Sequence, residues 1–304
     1  MTTTTSEAFG ALSDGMAAAV ETAAVSVVTV RARRRIPATG IVWSADGLIV
    51  TADHVIEDEE RITVVLPDGA SYPATLLGRD PGADLALLRI EGITGIEAPT
   101  TAATLAPEAA PRIGQFALAI GRPGAEIEAS IGVVSAVGGP WRSRSGTRVA
   151  GYLRTDTTMF PGFSGGPLID AHGRVLGMNS SRFPERSIAV PAAAVATLVA
   201  LLQQHGRVQR AYIGIASQAV ALPAPAAGGQ QSGLLIVRVE AESPAAAAGL
   251  LVGDILLGIE GAPTSRSEEL QDALGPERVG AAVRVQLLRG GVPHEVTVTL
   301  GERA

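Results

Sequence analysis

The chain has no cysteine, which removes disulfides, thiolate metal centres and cysteine nucleophiles together. It has no lysine either: all 24 basic residues are arginine, set against 30 acidic ones for a net charge of −6. A general nucleic-acid binder needs the opposite balance. Aromatic residues make up only 3% of the 304 positions, while hydrophobic residues make up 46%. The cores must therefore be built from Val, Leu, Ile and Ala. No stretch reaches the roughly 18 apolar residues of a membrane-spanning helix, so no integral membrane segment is expected. The opening "MTTTTSEAFGALSDGMAAAV" lacks the basic stretch and continuous apolar run of a secretory leader. On that ground the expectation is a cytoplasmic chain, or one already processed.

What is present is a long series of short aliphatic runs. After a polar, then Ala-rich segment over residues 1–24, read as a mobile tail with a short helix, come "VSVVTVRA", "GIVWSADGLIVTADHV", "ITVVLPDGASYPATLLG" and "LALLRI". Asp-Gly pairs at 46–47 and 68–69 mark hairpins. "ASIGVVSAV", "GYLRTDT", "GGPLID", "GRVLGMNS" and "SIAVP" carry the pattern to residue 191. Many short strands without intervening helices predict an all-β barrel or sandwich. "PAAAVATLVALLQQHG", residues 191–206, predicts a closing helix between Pro191 and Gly206. A smaller α/β unit follows over 211–302. Its signals are a short helix from Ser243-Pro244, a capping box of Ser265 and Glu268, and a final hairpin. "ALPAPAAGGQQSG" reads as a loop within it.

The chemistry centres on "TMFPGFSGGPLID", residues 158–170. Gly162-Phe163-Ser164-Gly165-Gly166 fits the nucleophile elbow of an α/β-hydrolase and also the nucleophile loop of a chymotrypsin-type protease. The elbow requires a helix after the serine and the order Ser, acid, His. Here Gly-Gly-Pro167 follows, poor for a helix interior, and then strand-like residues. His172 lies in a turn, His205 at a helix end and His294 in the second unit. His54 instead follows the strand "GLIV", and Asp84 heads the apolar run "LALLRI". His54, Asp84, Ser164 is the chymotrypsin chain order. The base would be His54, its orienting carboxylate Asp84, and the nucleophile Ser164. The N–H groups of Gly162 and Ser164, with Phe163 assisting, would receive the oxyanion.

Together "ADGLIVTADHVI", "DPGADLALLRI", "TDTTMFPGFSGGPL" and "IAVP" resemble segments of the HtrA serine proteases. The resemblance covers nearly all of residues 20–302. It implies two six-stranded β-barrels (residues 25–207) with the triad at their junction, followed by a PDZ domain (211–302). It also implies homotrimers assembled through the N-terminal segment, where Phe9 is one of only five Phe. The family usually has Asn where Phe160 and Phe163 stand here. "YIGI", Tyr212, Ile213, Gly214 and Ile215, would be the PDZ carboxylate loop. Leu270 and Leu274 would line its side-chain pocket, or else pack in the core.

The resemblance further implies an ATP-independent endopeptidase of unfolded or misfolded proteins, with peptides bearing apolar C-termini as PDZ partners. It calls for no cofactor and no metal. In chymotrypsin-like proteases the residue six before the nucleophile floors the S1 pocket. That position is Thr158, which supplies no charge, and Ile188, Ala189 and Val190 would form an apolar wall. The other reading is a catalytically weak, protease-derived peptide-binding protein.

Overall fold

The computed structural model describes residues 5–91, 111–139, 141–142, 148–149, 151–182, 188–206, 211–222, 230–275 and 278–302. The chain divides into two compact units, Met1–Arg207 and Val208–Ala304.

The first unit opens on a helix, α1 (Thr5–Ala24), of 20 residues. This corrects the expected tail and short helix. Its Ala-rich composition favours a helix, and Met16, Ala19, Val20 and Ala23 recur at helical spacing. They bury against Val27, Leu118, Ile120, Ile169 and Val175, which holds the C-terminal half in place. Phe9 and Leu12 extend the same stripe but stay exposed.

The strands β1 (Val27–Arg31), β2 (Ala38–Ser44), β3 (Leu48–Thr51), β4 (Ile62–Val65), β5 (Ser71–Asp80) and β6 (Leu85–Ile90) form a closed barrel, order β1-β2-β3-β6-β5-β4. Both Asp-Gly pairs turn hairpins here, between β2 and β3 and between β4 and β5. Val28, Val30, Val42, Ile49, Val64 and Leu88 fill the interior with aliphatic side chains.

Next come β7 (Phe116–Gly121), β8 (Glu128–Gly138), a short ribbon of β9 (Trp141–Arg142) and β10 (Arg148–Val149), β11 (Tyr152–Thr155), β12 (Pro167–Ile169), β13 (Val175–Ser180) and β14 (Ile188–Pro191). All but the ribbon close a second barrel, order β11-β14-β13-β12-β7-β8. The strand β12 begins three residues after Ser164 with no helix between. That rules out the nucleophile elbow. The helix α2 (Ala192–His205) is stopped by Gly206 at φ 69°. It packs against β5 and β6 of one barrel and β13 and β14 of the other.

The second unit holds β15 (Ala211–Tyr212), β16 (Ile215–Ala221), β17 (Ser232–Val239), α3 (Pro244–Ala247), β18 (Ile255–Ile259), β19 (Ala262–Pro263), α4 (Ser267–Ala273), β20 (Ala282–Arg289), β21 (Val292–Thr299) and β22 (Gly301–Glu302). Its main sheet runs β16-β17-β18-β20-β21, so β16 is an edge strand. The helix α4 lies against β16 and β18. Its cap differs from the expected one. Glu269, not Glu268, accepts the Ser265 N–H at 2.7 Å and the Arg266 N–H at 3.2 Å, because the N-cap is Arg266, one residue later than Ser265 suggested. Most of the expected loop, residues 223–229, lies outside the described residues.

Candidate active site

His54 sits in a single 3-10 turn, Asp53–Val55, just past β3. Asp84 sits at the entry to β6 and is fully buried. Its backbone is left-handed, φ 55°, which an L-residue adopts at a cost. The payoff is a carboxylate aimed at the imidazole. Both Asp84 oxygens lie 2.9 Å from His54 Nδ1, and Oδ1 also accepts the His54 backbone N–H at 3.0 Å. A carboxylate can only accept, so Nδ1 carries the proton and Nε2 is left as the basic lone pair. Ser180, at the end of β13, donates its hydroxyl to Asp84 Oδ2.

The nucleophile loop comes from the second barrel and is stitched to the first. Thr39 of β2 donates its N–H to the Ser164 carbonyl at 3.2 Å and its hydroxyl to the Gly162 carbonyl at 2.7 Å. The Arg122 N–H in turn donates to the Thr39 hydroxyl at 2.8 Å. Gly162 has φ 92°, and a Cβ there would lie 2.7 Å from the Pro37 carbonyl oxygen. Only glycine fits on both counts. Among the described residues, neither the Gly162 nor the Ser164 N–H donates a hydrogen bond, while both carbonyls are fixed from behind by Thr39.

Phe163 does not assist them. Its N–H donates to the Phe160 carbonyl at 3.1 Å, so the three-donor expectation reduces to two. Its side chain is fully buried with Ala119, Leu153 and Leu168 in the second barrel. The Phe160 ring meets it edge-on at 5.3 Å. The space exists because position 121 is glycine: a Cβ there would lie 2.2 Å from the Phe163 ring.

Ser164 Oγ lies 2.8 Å from Ser181 Oγ and accepts the Ser181 N–H at 3.2 Å. Ser181 Oγ is 3.4 Å from His54 Nε2. Sequence reasoning missed Thr39, Ser180 and Ser181. Their hydroxyls carry no pattern that sets them apart from other strand-end residues.

Of the expected S1 residues, Thr158 is exposed, and its carbonyl accepts the Ser130 hydroxyl at 2.7 Å. Ile188 and Val190 share one face of β14. Ala189 points the other way, into the core with Phe163 and Leu153, so it is corrected from pocket wall to core residue. The period of two in a strand makes the three incompatible as one wall. Ser187 lies outside the described residues.

In the second unit, Gly214 turns at φ 87° between β15 and β16. Its carbonyl accepts the Glu240 N–H at 2.9 Å, and the Ile213 carbonyl accepts the Ala245 N–H at 2.8 Å. Tyr212 pairs its hydroxyl with Glu240. Ile213 and Leu270 are core residues, with Ile215 and Leu274 packed partly buried against that core. Leu274 is not helical: it is the C-cap of α4 at φ −103°, ψ 48°.

Sequence profiles match the trypsin-like peptidase domain over residues 38–178 and the PDZ domain over 211–300. The crystal structure of a serine endoprotease from Yersinia pestis superposes with a TM-score of 0.78 at 33% identity, covering 94% of this chain and 97% of that one. The chain belongs to the HtrA family of serine proteases. A second HtrA-type structure, the protease AlgW with a decapeptide, matches at 26% identity and a TM-score of 0.77, over 95% of this chain and 99% of that one. A curated relative from Pseudomonas putida, a probable periplasmic DegP-like serine endoprotease, is 32% identical over 272 residues, 86% of this chain and 55% of its own length. The HtrA-family chain described here thus spans about half the length of the curated relatives it matches.

These relatives are named periplasmic, which corrects the cytoplasmic expectation. A leader is an address removed from the domain it delivers, so the folded residues hold no record of compartment. Among the described residues no helix is long and apolar enough to cross a membrane.

Proposed function

We propose that this HtrA-family chain is a serine endopeptidase of unfolded or misfolded proteins outside the cytoplasm, with residues 25–207 as its protease domain and 211–302 as its PDZ domain. The observation that carries this reading is His54 locked by Asp84 with Nε2 left basic, linked through the Ser181 hydroxyl to Ser164, which lies beside two undonated N–H groups. His54 takes the Ser164 proton as Oγ attacks the peptide carbonyl and returns it to the leaving amine. Asp84 holds the tautomer and stabilises the imidazolium. The Gly162 and Ser164 N–H groups receive the oxyanion, each worth about 10²–10³ in rate. No step calls for a cofactor or metal.

Thr158 offers no carboxylate to a basic P1 side chain, and Ile188 and Val190 are apolar. A desolvated cation there would lack a partner, so cleavage falls after Val, Ala, Ile or Leu. Discrimination is loose, since a methylene is worth only about 1–3 kcal/mol. Casein digestion beside the Ser164→Ala variant tests the activity, and mass spectrometry of the fragments reads P1. Unchanged digestion by Ser164→Ala refutes the assignment, and a dominance of Arg or Lys at P1 refutes the pocket.

In the PDZ domain, the free edge of β16 opposite α4 suits an added peptide strand, with Tyr212, Ile213, Gly214 and Ile215 around its carboxylate. Peptides ending in an apolar residue bind, and amidating the C-terminus weakens them. The exposed Phe9 and Leu12 of α1 support residues 1–24 as the contact of a homotrimer. Light scattering of the full chain and of a chain starting near residue 20 tests it.

A further inference from the structure

The hydroxyl of Ser164 does not face its base. Its two contacts are with Ser181: Oγ to Oγ at 2.8 Å, and the Ser181 N–H at 3.2 Å. It is Ser181 Oγ that lies near His54 Nε2, at 3.4 Å. Among the described residues no hydrogen bond joins Ser164 to His54 directly. Ser181 is exposed, one residue past the end of β13, and its neighbour Ser180 holds Asp84. The turn at 180–181 therefore touches all three members of the triad.

We propose that Ser181 is a positioning residue that parks the nucleophile. Its N–H donates to Ser164 Oγ and draws electron density from the oxygen that must attack. Its hydroxyl occupies the space between that oxygen and the base. Both contacts belong to the resting state. Attack requires Ser164 Oγ to turn from Ser181 towards a substrate carbonyl and to give its proton to Nε2. Contacts made in the ground state and lost in the transition state raise the barrier. The parked serine thus holds hydrolysis down, because the contact with Ser181 is broken only as Oγ turns to attack a bound substrate. This inference rests on Ser164 being the nucleophile. A Ser181→Ala substitution removes the hydroxyl contact and leaves the N–H one.

The test is the rate of fluorophosphonate acylation, measured on the full chain with Ser164→Ala as the control for site. Acylation needs no peptide binding, so it reads the nucleophile alone. Ser181→Ala is expected to acylate about 2- to 10-fold faster, the worth of one neutral hydrogen bond. With a short chromogenic peptide the gain appears in kcat with KM unchanged. Ser181→Thr keeps a hydroxyl and returns the rate towards wild type, which a packing effect would not do. An unchanged rate in Ser181→Ala overturns the proposal, as the contact is then idle. A slower rate also overturns it, because Ser181 then relays the proton to His54 rather than blocking it. Labelling that persists in Ser164→Ala overturns the nucleophile assignment itself, and the parked state with it.

Discussion

The candidate catalytic site of the first unit and the proposed peptide groove of the second are built from opposite materials. The candidate site uses polar residues that contribute little to packing. Asp84 is fully buried and polar, and its backbone is strained. Burying a carboxylate is costly unless it is paired and hydrogen-bonded, and here three donors converge on it. The proposed groove would use Ile213, Ile215, Leu270 and Leu274, apolar residues that build or flank the core. A buried polar residue demands an explanation, and a buried leucine does not. Substitutions in the candidate site should therefore change rate in an intact fold. Substitutions in the groove should change stability and binding together.

The sharpest way to break this contrast is at the triad. Ser164→Ala or His54→Ala should lower kcat by about 10⁶, and Asp84→Asn by about 10⁴ through the wrong tautomer. All three should keep the wild-type circular dichroism. A variant that loses activity only by unfolding would place these residues with the groove leucines instead.

Phe163 tests the boundary, since it lies in the nucleophile loop but packs as a core residue. Phe163→Ala should cost about 3–5 kcal/mol of stability, lowering the melting temperature of this unit by roughly 10 °C. Below that temperature Ser164 should still acylate with a fluorophosphonate, because the Phe163 N–H is engaged with Phe160 rather than with substrate. Loss of labelling in folded protein would show that the ring holds the Gly162 and Ser164 N–H groups in place.

How much was legible follows the same division. His54, Asp84 and Ser164 could be read because chain order and turn signals single out reactive residue types. An all-β barrel or sandwich could be read because aliphatic runs and Asp-Gly pairs repeat, and the division into two barrels came from the family resemblance. Thr39, Ser180 and Ser181 could not, because their roles depend on contacts across barrels rather than on local pattern. Ala189 was misplaced because a strand's two faces are assigned only once one neighbour's direction is known. The length of α1 was missed because its apolar stripe has meaning only against β7 and β12, far along the chain. Compartment is not a property of the fold.

Two leucines separate packing from recognition in the second unit. Leu270→Ala should cost about 2–5 kcal/mol, because it empties a buried site. Leu274→Ala should cost less, because Leu274 sits half-buried beyond the end of α4. Urea melts of a fragment spanning 208–304, run beside peptide titrations, read both terms. If Leu274→Ala weakens peptide binding with its melt unchanged, Leu274 lines the pocket. If both quantities are unchanged, the pocket lies elsewhere.

The smallest effect concerns acid. The Ser265 N–H and hydroxyl, with Arg266 beside them, hold the Glu269 carboxyl down at about 2 from its ordinary 4.5. Two hydrogen bonds from Arg289 lead the causes that also lower Asp254. A carboxylate whose pKa is lower folded than unfolded contributes stability above the unfolded value, and loses it as pH falls through the folded value. Both groups therefore contribute fully above pH 4.5, and the Glu269 contribution fades between about 4.5 and about 2. Glu269 is half-buried and still in contact with solvent, so its share is small. The urea midpoint of the 208–304 fragment should be flat from pH 7 to 5 and fall below 4.5. Glu269→Gln should start lower at pH 7 and fall less steeply, because one of the carboxylates whose pKa is lowered in the folded unit is gone. A wild-type midpoint as high at pH 3 as at pH 6 would mean that the cap of α4 does not depend on charge, leaving packing as the whole of this unit's stability.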